Sequence, residues 1–318
     1  MNLNQMRFID AVARLRHFGR AAKACHVSQP TLSIGIRKLE DELGVILFER
    51  SKTDVRLTDA GQEVITLARQ IVDASSRIKE LGKSRRDPLL GPLRLGVINT
   101  IGPYLLPKLI PAMREKTPQM PLRIEEDYTD VLIEHLKQGS LDLLIIAREC
   151  SEPGLAVLPL YEEPFLITVP EDHHWADRDQ INGTELSEES LLLLRRGHCL
   201  RDQVLALCPE CLQTHSDPTH LTSVLESSSL ETIRHMVMAG SGITVLPSTV
   251  TEQQSPAQGS LKYIPFAPPA PHRTVSLVWR HSFYRMPAIE SLASVIRSIE
   301  LPSVRLLQEE ATIGSSRR

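Results

Sequence analysis

The residues best placed for chemistry fall in one short segment, residues 196–209, where two cysteines flank a stretch with helical periodicity. The apolar positions of that stretch are Leu200, Val204 and Leu207. Their spacing predicts a helix that begins at or near Cys199. A helix N-terminus favours an anion, and His198 and Arg201 add cationic groups, so the segment favours the thiolate form of Cys199. It therefore predicts a nucleophilic cysteine; the alternative is a buried cysteine without chemistry of its own.

The second cysteine of the segment, Cys208, follows nine residues after Cys199. Across an intact helix this separation is about 13.5 Å at 1.5 Å per residue. A disulfide needs Cα atoms roughly 4.4–6.8 Å apart. The two cysteines therefore cannot bond while the helix stands, and a bond between them would couple oxidation to unravelling of the helix.

A third cysteine, Cys211, makes a C-x-x-C motif with Cys208. The motif allows a competing disulfide, a thiol relay, or half of a metal site with His215 and His220 nearby. Because a second C-x-x-C is absent, a structural zinc site is weakly supported, and we expect neither a metal nor a cofactor.

Charge is unevenly distributed over the 318 residues. Residues 1–90 carry 16 Lys+Arg against 11 Asp+Glu, whereas the chain as a whole has a net charge of −3. A basic head on an acidic body is typical of a protein that binds nucleic acid through its head. No apolar run approaches the roughly 20 residues of a membrane helix. Five cysteines and the lack of a signal-peptide pattern predict a reducing cytoplasm and no membrane association.

The first 45 residues predict three short helices, of which the second and third form a helix-turn-helix. Ser28 is a favourable N-cap, Pro30 suits the first turn, and Gly44 ends the third helix. The buried stripe of that helix is Leu32, Ile36, Leu39 and Leu43. The residues left for base and phosphate contacts are Gln29, Thr31, Ser33, Ile34, Arg37 and Lys38. The alternative is a three-helix bundle with a solvated face.

Five short blocks stand out in this region: residues 20–22, 27–33, 39–44, 47–50 and 57–61, which read RAA, VSQPTLS, LEDELG, LFER and LTDAG. In this order they resemble the DNA-binding head of LysR-type transcriptional regulators. The resemblance implies a winged helix-turn-helix over residues 1–57, with wing strands at 45–50 and 55–57, and adds Ser28, Pro30 and Arg50 to the DNA-binding set. Gly35 departs from the glutamine that the family often has, so DNA specificity is expected to differ in detail.

A long helix is predicted after the head, in a linker over residues 58–90, with Thr58 as its cap. Its apolar residues follow a spacing close to a heptad seam: Val64, Leu67, Ile71, Ala74, Ile78 and Leu81. The seam predicts a helix that pairs with a second copy in a homodimer; the alternative is packing against its own chain. Gly91 and Pro92 are predicted to form a hinge.

Residues 91–303 alternate apolar strands with helices, which predicts an open α/β sheet long enough for two lobes with a cleft. The LysR resemblance implies the same architecture, similar to a periplasmic binding protein. Ligands of such sheets lie at the carboxyl ends of strands, where Thr100 and Thr129 are placed, although each threonine is equally suited to cap a helix. We predict a mobile tail over residues 304–318.

The cysteine segment itself, GHCLRDQ at residues 197–203 with Cys208 beyond it, resembles the peroxide-sensing members of the LysR family. The resemblance implies that Cys199 reacts with hydrogen peroxide to a sulfenic acid and that Cys208 resolves it as a disulfide. It implies a peroxide pocket of Thr100, Thr129, His198, Arg201 and Arg273. It also implies promoter DNA, RNA polymerase and a homotetramer as partners, resetting by glutaredoxin or thioredoxin, and no enzymatic turnover.

Two alternatives remain open. A LysR regulator that binds a small metabolite in the cleft would still respond to its ligand after Cys199→Ser. A thiol peroxidase or thiol–disulfide enzyme built on Cys208 and Cys211 would sustain peroxide turnover, but such an enzyme has no need for a helix-turn-helix.

Overall fold

The computed structural model describes residues 1–50, 55–84, 87–208, 211, 226–227, 229–253 and 261–307. The chain divides into two compact units, Met1–Asp87 and Pro88–Arg318. We describe each unit by itself.

The N-terminal unit is a winged helix-turn-helix followed by a long helix. Its elements are α1 (Leu3–Leu15), α2 (Phe18–Ala24), α3 (Gln29–Leu43), β1 (Phe48–Arg50), β2 (Val55–Leu57) and α4 (Asp59–Ser84). β1 and β2 pair antiparallel as the wing. The predicted strand at 45–50 is shorter than expected because Leu47 and Phe48 are held by the Glu40 carboxylate, which accepts from both backbone N–H groups. The predicted wing tip, residues 51–54, lies outside the described residues.

Local capping explains where the recognition helix α3 begins and ends. The Ser28 hydroxyl accepts from the Thr31 N–H at 3.3 Å, and Gly44 takes a left-handed φ of 68° at the C-terminal end. α1, α2 and α3 meet in a core that includes Ile9, and α4 adds Ile65 and Ala68 to it. The third helix is therefore fixed by its own caps and by a shared core, with its polar face left outside.

The C-terminal unit is an α/β structure. Its elements are β3 (Leu93–Ile98), α5 (Gly102–Lys116), β4 (Leu122–Asp127), α6 (Thr129–Lys137), β5 (Leu143–Ile146), β6 (Leu155–Pro170), β7 (Leu193–Leu194), α7 (Cys199–Leu207), β8 (Glu226–Ser227), α8 (Leu230–Met238), β9 (Thr244–Pro247), β10 (Leu261–Pro265), β11 (His272–Arg280), α9 (Met286–Ser298) and β12 (Arg305–Leu306). Short 3₁₀ helices lie at Gly183–Glu188 and Ser248–Gln253.

One long strand, β6, joins two hydrophobic cores. Its first part pairs antiparallel with β11, next to the parallel strands β5, β3 and β4. Its last part pairs with β9 and β10. The first set packs against α5, α6 and α9, and the second surrounds α7 and α8. The unit therefore has two lobes that share β6, and the two-lobed α/β prediction is confirmed.

Two differences from the sequence predictions have clear physical causes. The predicted tail at 304–318 is wrong for its first residues, because β12 pairs with β6 and the Arg305 guanidinium contacts Glu162; residues 308–318 lie outside the described residues. The predicted hinge at Gly91 and Pro92 is held within the C-terminal unit, because Arg285 donates to both of their carbonyl oxygens.

Candidate functional site

A small cavity lies where the carboxyl ends of β3 and β4 meet the start of α7. Its volume is about 10 Å³, which is room for a single molecule the size of water. Both lobes line it. The lining residues are Ile98, Asn99, Thr100, Asp127, Tyr128, Thr129, Gly197, His198 and Cys199. The structure thus brings together four residues that the sequence singled out: Thr100, Thr129, His198 and Cys199.

Cys199 is the first residue of α7, as its helical spacing predicted. Its side chain is half-buried and packs against the core of the first lobe, although α7 belongs to the second lobe. The neighbouring His198 is buried, and its ring meets the ring of Tyr128 edge-on at 4.6 Å between centroids. The thiol therefore lies in the wall of a small interlobe cavity, at a helix N-terminus, where backbone N–H groups stabilise an anion.

Gly197 sets the direction in which the chain enters α7. Its φ of 100° is a conformation that side chains rarely adopt, and a Cβ atom there would lie 3.4 Å from the ring of Tyr128. The backbone conformation therefore requires glycine, whereas the added Cβ would make only an ordinary van der Waals contact with the ring.

Replacing Gly197 by alanine is expected to lower the free energy of unfolding by about 1–3 kcal/mol and to slow alkylation of Cys199, because the strained backbone shifts the start of α7. Urea unfolding and the rate of reaction with a maleimide measure the two effects. Gly154→Ala is the matched control, since Gly154 has a φ of 82° with nothing within 4 Å of the added Cβ. Equal alkylation rates in the two variants would contradict the expectation.

Behind the cavity, the predicted pocket residue Arg273 acts through Thr100. Its guanidinium donates to the Thr100 hydroxyl at 3.0 Å and to the Thr100 carbonyl at 3.1 Å. It also forms a fully buried ion pair with Glu163 at 2.8 Å. The other Glu163 oxygen accepts from the backbone N–H and hydroxyl of Thr249. Arg273 is therefore a support for the cavity wall and is not among the residues that line it.

The predicted pocket residue Arg201 lies elsewhere. Its side chain is buried in the second lobe and donates to the Leu194 carbonyl at 2.8 Å. It is not among the lining residues of the cavity. Arg201 sits two residues into α7 beyond Cys199, so it ties the start of that helix to β7.

Two further contacts join the two lobes. Gln203 of α7 donates to the Ala147 carbonyl, at the end of β5, at 2.6 Å. The Tyr104 hydroxyl donates to Glu231 of α8 at 2.7 Å, and Arg234 pairs with the same carboxylate. Burial, and then this hydrogen bond, raise the pKa of Tyr104 well above its usual value, so the phenol stays protonated. The position of α7 is thus linked to the packing of one lobe on the other.

The structure pairs Cys208 with Cys211, with Cα atoms 5.4 Å apart. The disulfide between Cys199 and Cys208 is not formed, because the intact helix α7 separates them and Cys208 is its C-cap. The C-x-x-C motif had left this competing bond open. The sulfur atoms are bonded to each other, and His215 and His220 lie outside the described residues, so the metal alternative gains no support here.

One group of side chains in the described residues has metal-ligating composition: His173, His174 and Glu189. The two imidazole Nε2 atoms face the Glu189 carboxylate at 3.5 and 3.3 Å. The backbone N–H of Trp175 donates to His173 Nδ1 at 3.2 Å, so a neutral His173 ring carries its proton on Nε2 and directs it at Glu189. This tautomer favours histidine–carboxylate pairing over metal ligation.

The candidate DNA interface is the outer face of α3. Ser33 is half-buried, and the other polar and proline positions predicted for α3 and its cap are exposed. The exposed residues are Ser28, Gln29, Pro30, Thr31, Arg37 and Lys38. Ile34 is 56% exposed although it is apolar, which suits contact with a thymine methyl group. Arg50 is the last residue of β1.

Gly35 lies under Phe8, whose ring atoms would be 2.9 Å from an added Cβ, so the departure from the family glutamine has a packing cause.

Two substitutions on α3 are expected to weaken DNA binding in different ways. Gln29→Ala should cost about 1–3 kcal/mol on the preferred site and relax preference at one base pair, because it removes a base contact. Lys38→Ala should weaken all sequences alike and reduce the salt slope by about one, because it removes a phosphate contact. Fluorescence anisotropy over a salt series separates them. Glu63→Ala on α4 is the control, and identical salt slopes in both α3 variants would contradict the assignment.

Comparison with known proteins agrees with the two units described above. The family model "Bacterial regulatory helix-turn-helix protein, lysR family" matches residues 3–62, and "LysR substrate binding domain" matches residues 86–299. The chain therefore belongs to the LysR family of bacterial transcriptional regulators. Among the described residues, no helix is long and apolar enough to cross a membrane.

Within that family, the chain resembles OxyR proteins over nearly its whole length. It is 41% identical over 298 residues to the "DNA-binding transcriptional dual regulator OxyR" of Escherichia coli K12, covering 94% of this chain and 95% of the relative. It is 36% identical to the "Hydrogen peroxide-inducible genes activator" of Haemophilus influenzae, covering 96% and 98%.

Solved structures give the same result. A full-length OxyR mutant from Pseudomonas aeruginosa matches with a TM-score of 0.65 and 46% identity, covering 95% of this chain and 99% of that chain. A hydrogen peroxide-bound OxyR mutant from Corynebacterium glutamicum matches with a TM-score of 0.63 and 34% identity, covering 93% and 91%.

Proposed function

We propose that this chain is a transcriptional regulator that senses hydrogen peroxide through Cys199. One observation carries the proposal: the thiol lies at a helix N-terminus and faces an interlobe cavity of about 10 Å³. Peroxide-inducible activators among its relatives support the assignment.

The size of the cavity favours peroxide over a metabolite. Sites for organic ligands usually enclose about 300–1,000 Å³, whereas the volume of this cavity is about 10 Å³. Its polar lining suits a ligand with two hydroxyl groups: the hydroxyls of Thr100 and Thr129 and the imidazole of His198.

The reaction is a two-electron oxidation of sulfur. The Cys199 thiolate attacks one peroxide oxygen, the O–O bond breaks, and the departing hydroxide takes a proton to become water. Cys199 is left as a sulfenic acid. When Cys208 is a thiol, its sulfur attacks the Cys199 sulfur, the S–O bond breaks, and a second water leaves as the disulfide forms.

The second step carries the signal, because it requires α7 to unravel. Unravelling removes the hydrogen bond from Gln203 to Ala147 and exposes buried residues of α7 such as Val204. The packing of the second lobe on the first then changes. As a result, the dimers of a homotetramer rearrange, and the tetramer changes its contacts with promoter DNA and RNA polymerase. Glutaredoxin or thioredoxin restores the thiols in the reducing cytoplasm.

We assign no enzymatic turnover to the chain, because one peroxide is consumed in each switching event. The winged helix-turn-helix supports a DNA-binding role over the alternative of a thiol peroxidase. Sustained peroxide consumption with a dithiol reductant would restore that alternative.

Cys199→Ser tests the proposal. With this variant, stoichiometric hydrogen peroxide should leave the DNase I footprint unchanged, and sulfenic acid labelling should fall to the background of the denatured protein. Cys150→Ser is the control, because Cys150 is also half-buried and packs against the same first-lobe core. An unchanged peroxide response in Cys199→Ser would overturn the proposal, and a response to a metabolite in both variants would establish the alternative.

A further inference from the structure

We propose that Cys211 is the last thiol of a three-cysteine relay, in which oxidation begins at Cys199, passes through Cys208 and ends as the Cys208–Cys211 disulfide. The inference rests on the proposed function, since it takes peroxide oxidation of Cys199 as its first step. It assigns a role to a residue that neither the cavity nor the DNA interface uses.

The structure holds the end product of such a relay. α7 is intact, Cys199 is not disulfide-bonded and lies against the cavity, and Cys208 is bonded to Cys211. The backbone holds the two bonded residues at disulfide distance: the Cys211 N–H donates to the Cys208 carbonyl at 3.1 Å, and their Cα atoms are 5.4 Å apart. Cys208 can therefore reach Cys211 with the helix in place, whereas it reaches Cys199 only with the helix unravelled.

The added step is a thiol–disulfide exchange that needs no further oxidant. The Cys211 thiolate attacks the Cys208 sulfur of the Cys199–Cys208 disulfide, the bond to Cys199 breaks, and Cys199 leaves as a thiolate. Counted over all steps, one hydrogen peroxide and the thiols of Cys208 and Cys211 give one disulfide and two waters. Cys199 begins and ends reduced.

Packing drives the exchange forward. In the Cys199–Cys208 form, α7 is unravelled, so its buried apolar side chains are displaced: Leu200, Val204 and Leu205. The Cys208–Cys211 form returns them to the core and restores the bond from Gln203 to Ala147. The loop it closes is also shorter, three residues in sequence separation rather than nine, so it costs less chain entropy.

The relay makes the response self-limiting. The unravelled form that signals through the lobes decays to a helical form without any reductant, while the chain stays oxidised. The new disulfide is hidden, because Cys208 and Cys211 are 0% and 1% exposed. Reduction by an external dithiol then becomes the slow step, and a second peroxide that reaches Cys199 meets no thiol at Cys208 and leaves a lasting sulfenic acid.

The test follows disulfides over time in the fully reduced full-length chain. One equivalent of hydrogen peroxide is added, samples are quenched in acid with an alkylating agent, and bonded peptides are mapped by mass spectrometry. In the wild-type chain, the Cys199–Cys208 disulfide should rise and then fall as the Cys208–Cys211 disulfide appears and Cys199 becomes alkylatable again. In Cys211→Ser, the Cys199–Cys208 disulfide should last at least about tenfold longer.

Matched variants separate the possible failures. Cys25→Ser should behave as the wild type, because burial raises the pKa of that thiol and it lies in the DNA-binding unit. Cys199→Ser should form the Cys208–Cys211 disulfide at no more than about a tenth of the wild-type rate. A Cys199–Cys208 disulfide that persists equally in the wild type and Cys211→Ser, or an undiminished rate in Cys199→Ser, overturns the relay. Absence of a sulfenic acid at Cys199 in Cys208→Ser overturns the proposed function itself.

Discussion

Arg273→Met is expected to lower the free energy of unfolding of the C-terminal unit by about 3–5 kcal/mol, because it leaves the Glu163 carboxylate buried without its charge partner. Both side chains of the ion pair are 0% exposed, so water cannot replace the lost contact. The same substitution removes two hydrogen bonds to Thr100, so this residue of the cavity wall loses its support. Peroxide oxidation of Cys199 should therefore slow in the protein that remains folded.

Urea unfolding measures the stability loss through the chain's two tryptophans. Trp279 belongs to the core of the first lobe and Trp175 to that of the second, so fluorescence reports on both. The double variant Arg273→Met with Glu163→Leu is the control. It removes both charges and should recover part of the stability, but not the oxidation rate, because Thr100 stays unsupported. A loss below about 1 kcal/mol in the single variant would contradict the role of the pair.

Features set by neighbours in sequence could be predicted well. Ser28 as an N-cap, Gly44 as a helix end and Cys199 as the start of α7 depend only on residues within a few positions, and the structure has all three. The helix between Cys199 and Cys208 also follows from local spacing. These predictions rest on backbone preferences that operate before any tertiary contact forms.

Features set by distant pairing could not be predicted. Glu163 is 110 residues from Arg273, and nothing in the sequence distinguishes it from its neighbour Glu162, which faces solvent-exposed Arg305 instead. Alternation along β6 decides which carboxylate points inward, and that depends on strand register. The family resemblance implies a place for Arg201 in the pocket, yet its helical position turns it toward Leu194.

The choice between the two disulfides shows where local and distant effects meet. The sequence left both pairings of Cys208 open, because each partner lies within ten residues of it. The fold favours Cys211 because α7 contributes buried residues to the second lobe and a hydrogen bond to the first, and both are lost if Cys208 turns to Cys199. The disulfide between Cys208 and Cys211, which are three residues apart, preserves the packed helix and is thus the resting product. The disulfide between Cys199 and Cys208, which are nine residues apart, breaks the helix and is the signal.

The largest effect on DNA binding is expected from the linker helix rather than from the recognition helix. α4 has two apolar faces: Ile65 and Ala68 are buried in the core of their own unit, whereas Leu67, Ile71 and Ile78 are 59%, 43% and 71% exposed. The sequence alternatives of dimer seam and self-packing thus fall on different faces. An exposed apolar stripe at heptad-like spacing favours pairing with the same stripe of a second copy.

Substituting both Leu67 and Ile71 by lysine is expected to give a monomer that binds a palindromic site about 10²–10⁴ times more weakly, because two recognition helices no longer act together. Affinity for a single half-site should stay unchanged, since α3 and its core are not altered. Analytical ultracentrifugation and anisotropy on whole and half sites measure both expectations. Gln70→Lys, also exposed on α4 but off the stripe, controls for added charge. A dimer that survives the double substitution would place the pairing surface elsewhere, and equal losses on whole and half sites would mean that the head itself had been damaged.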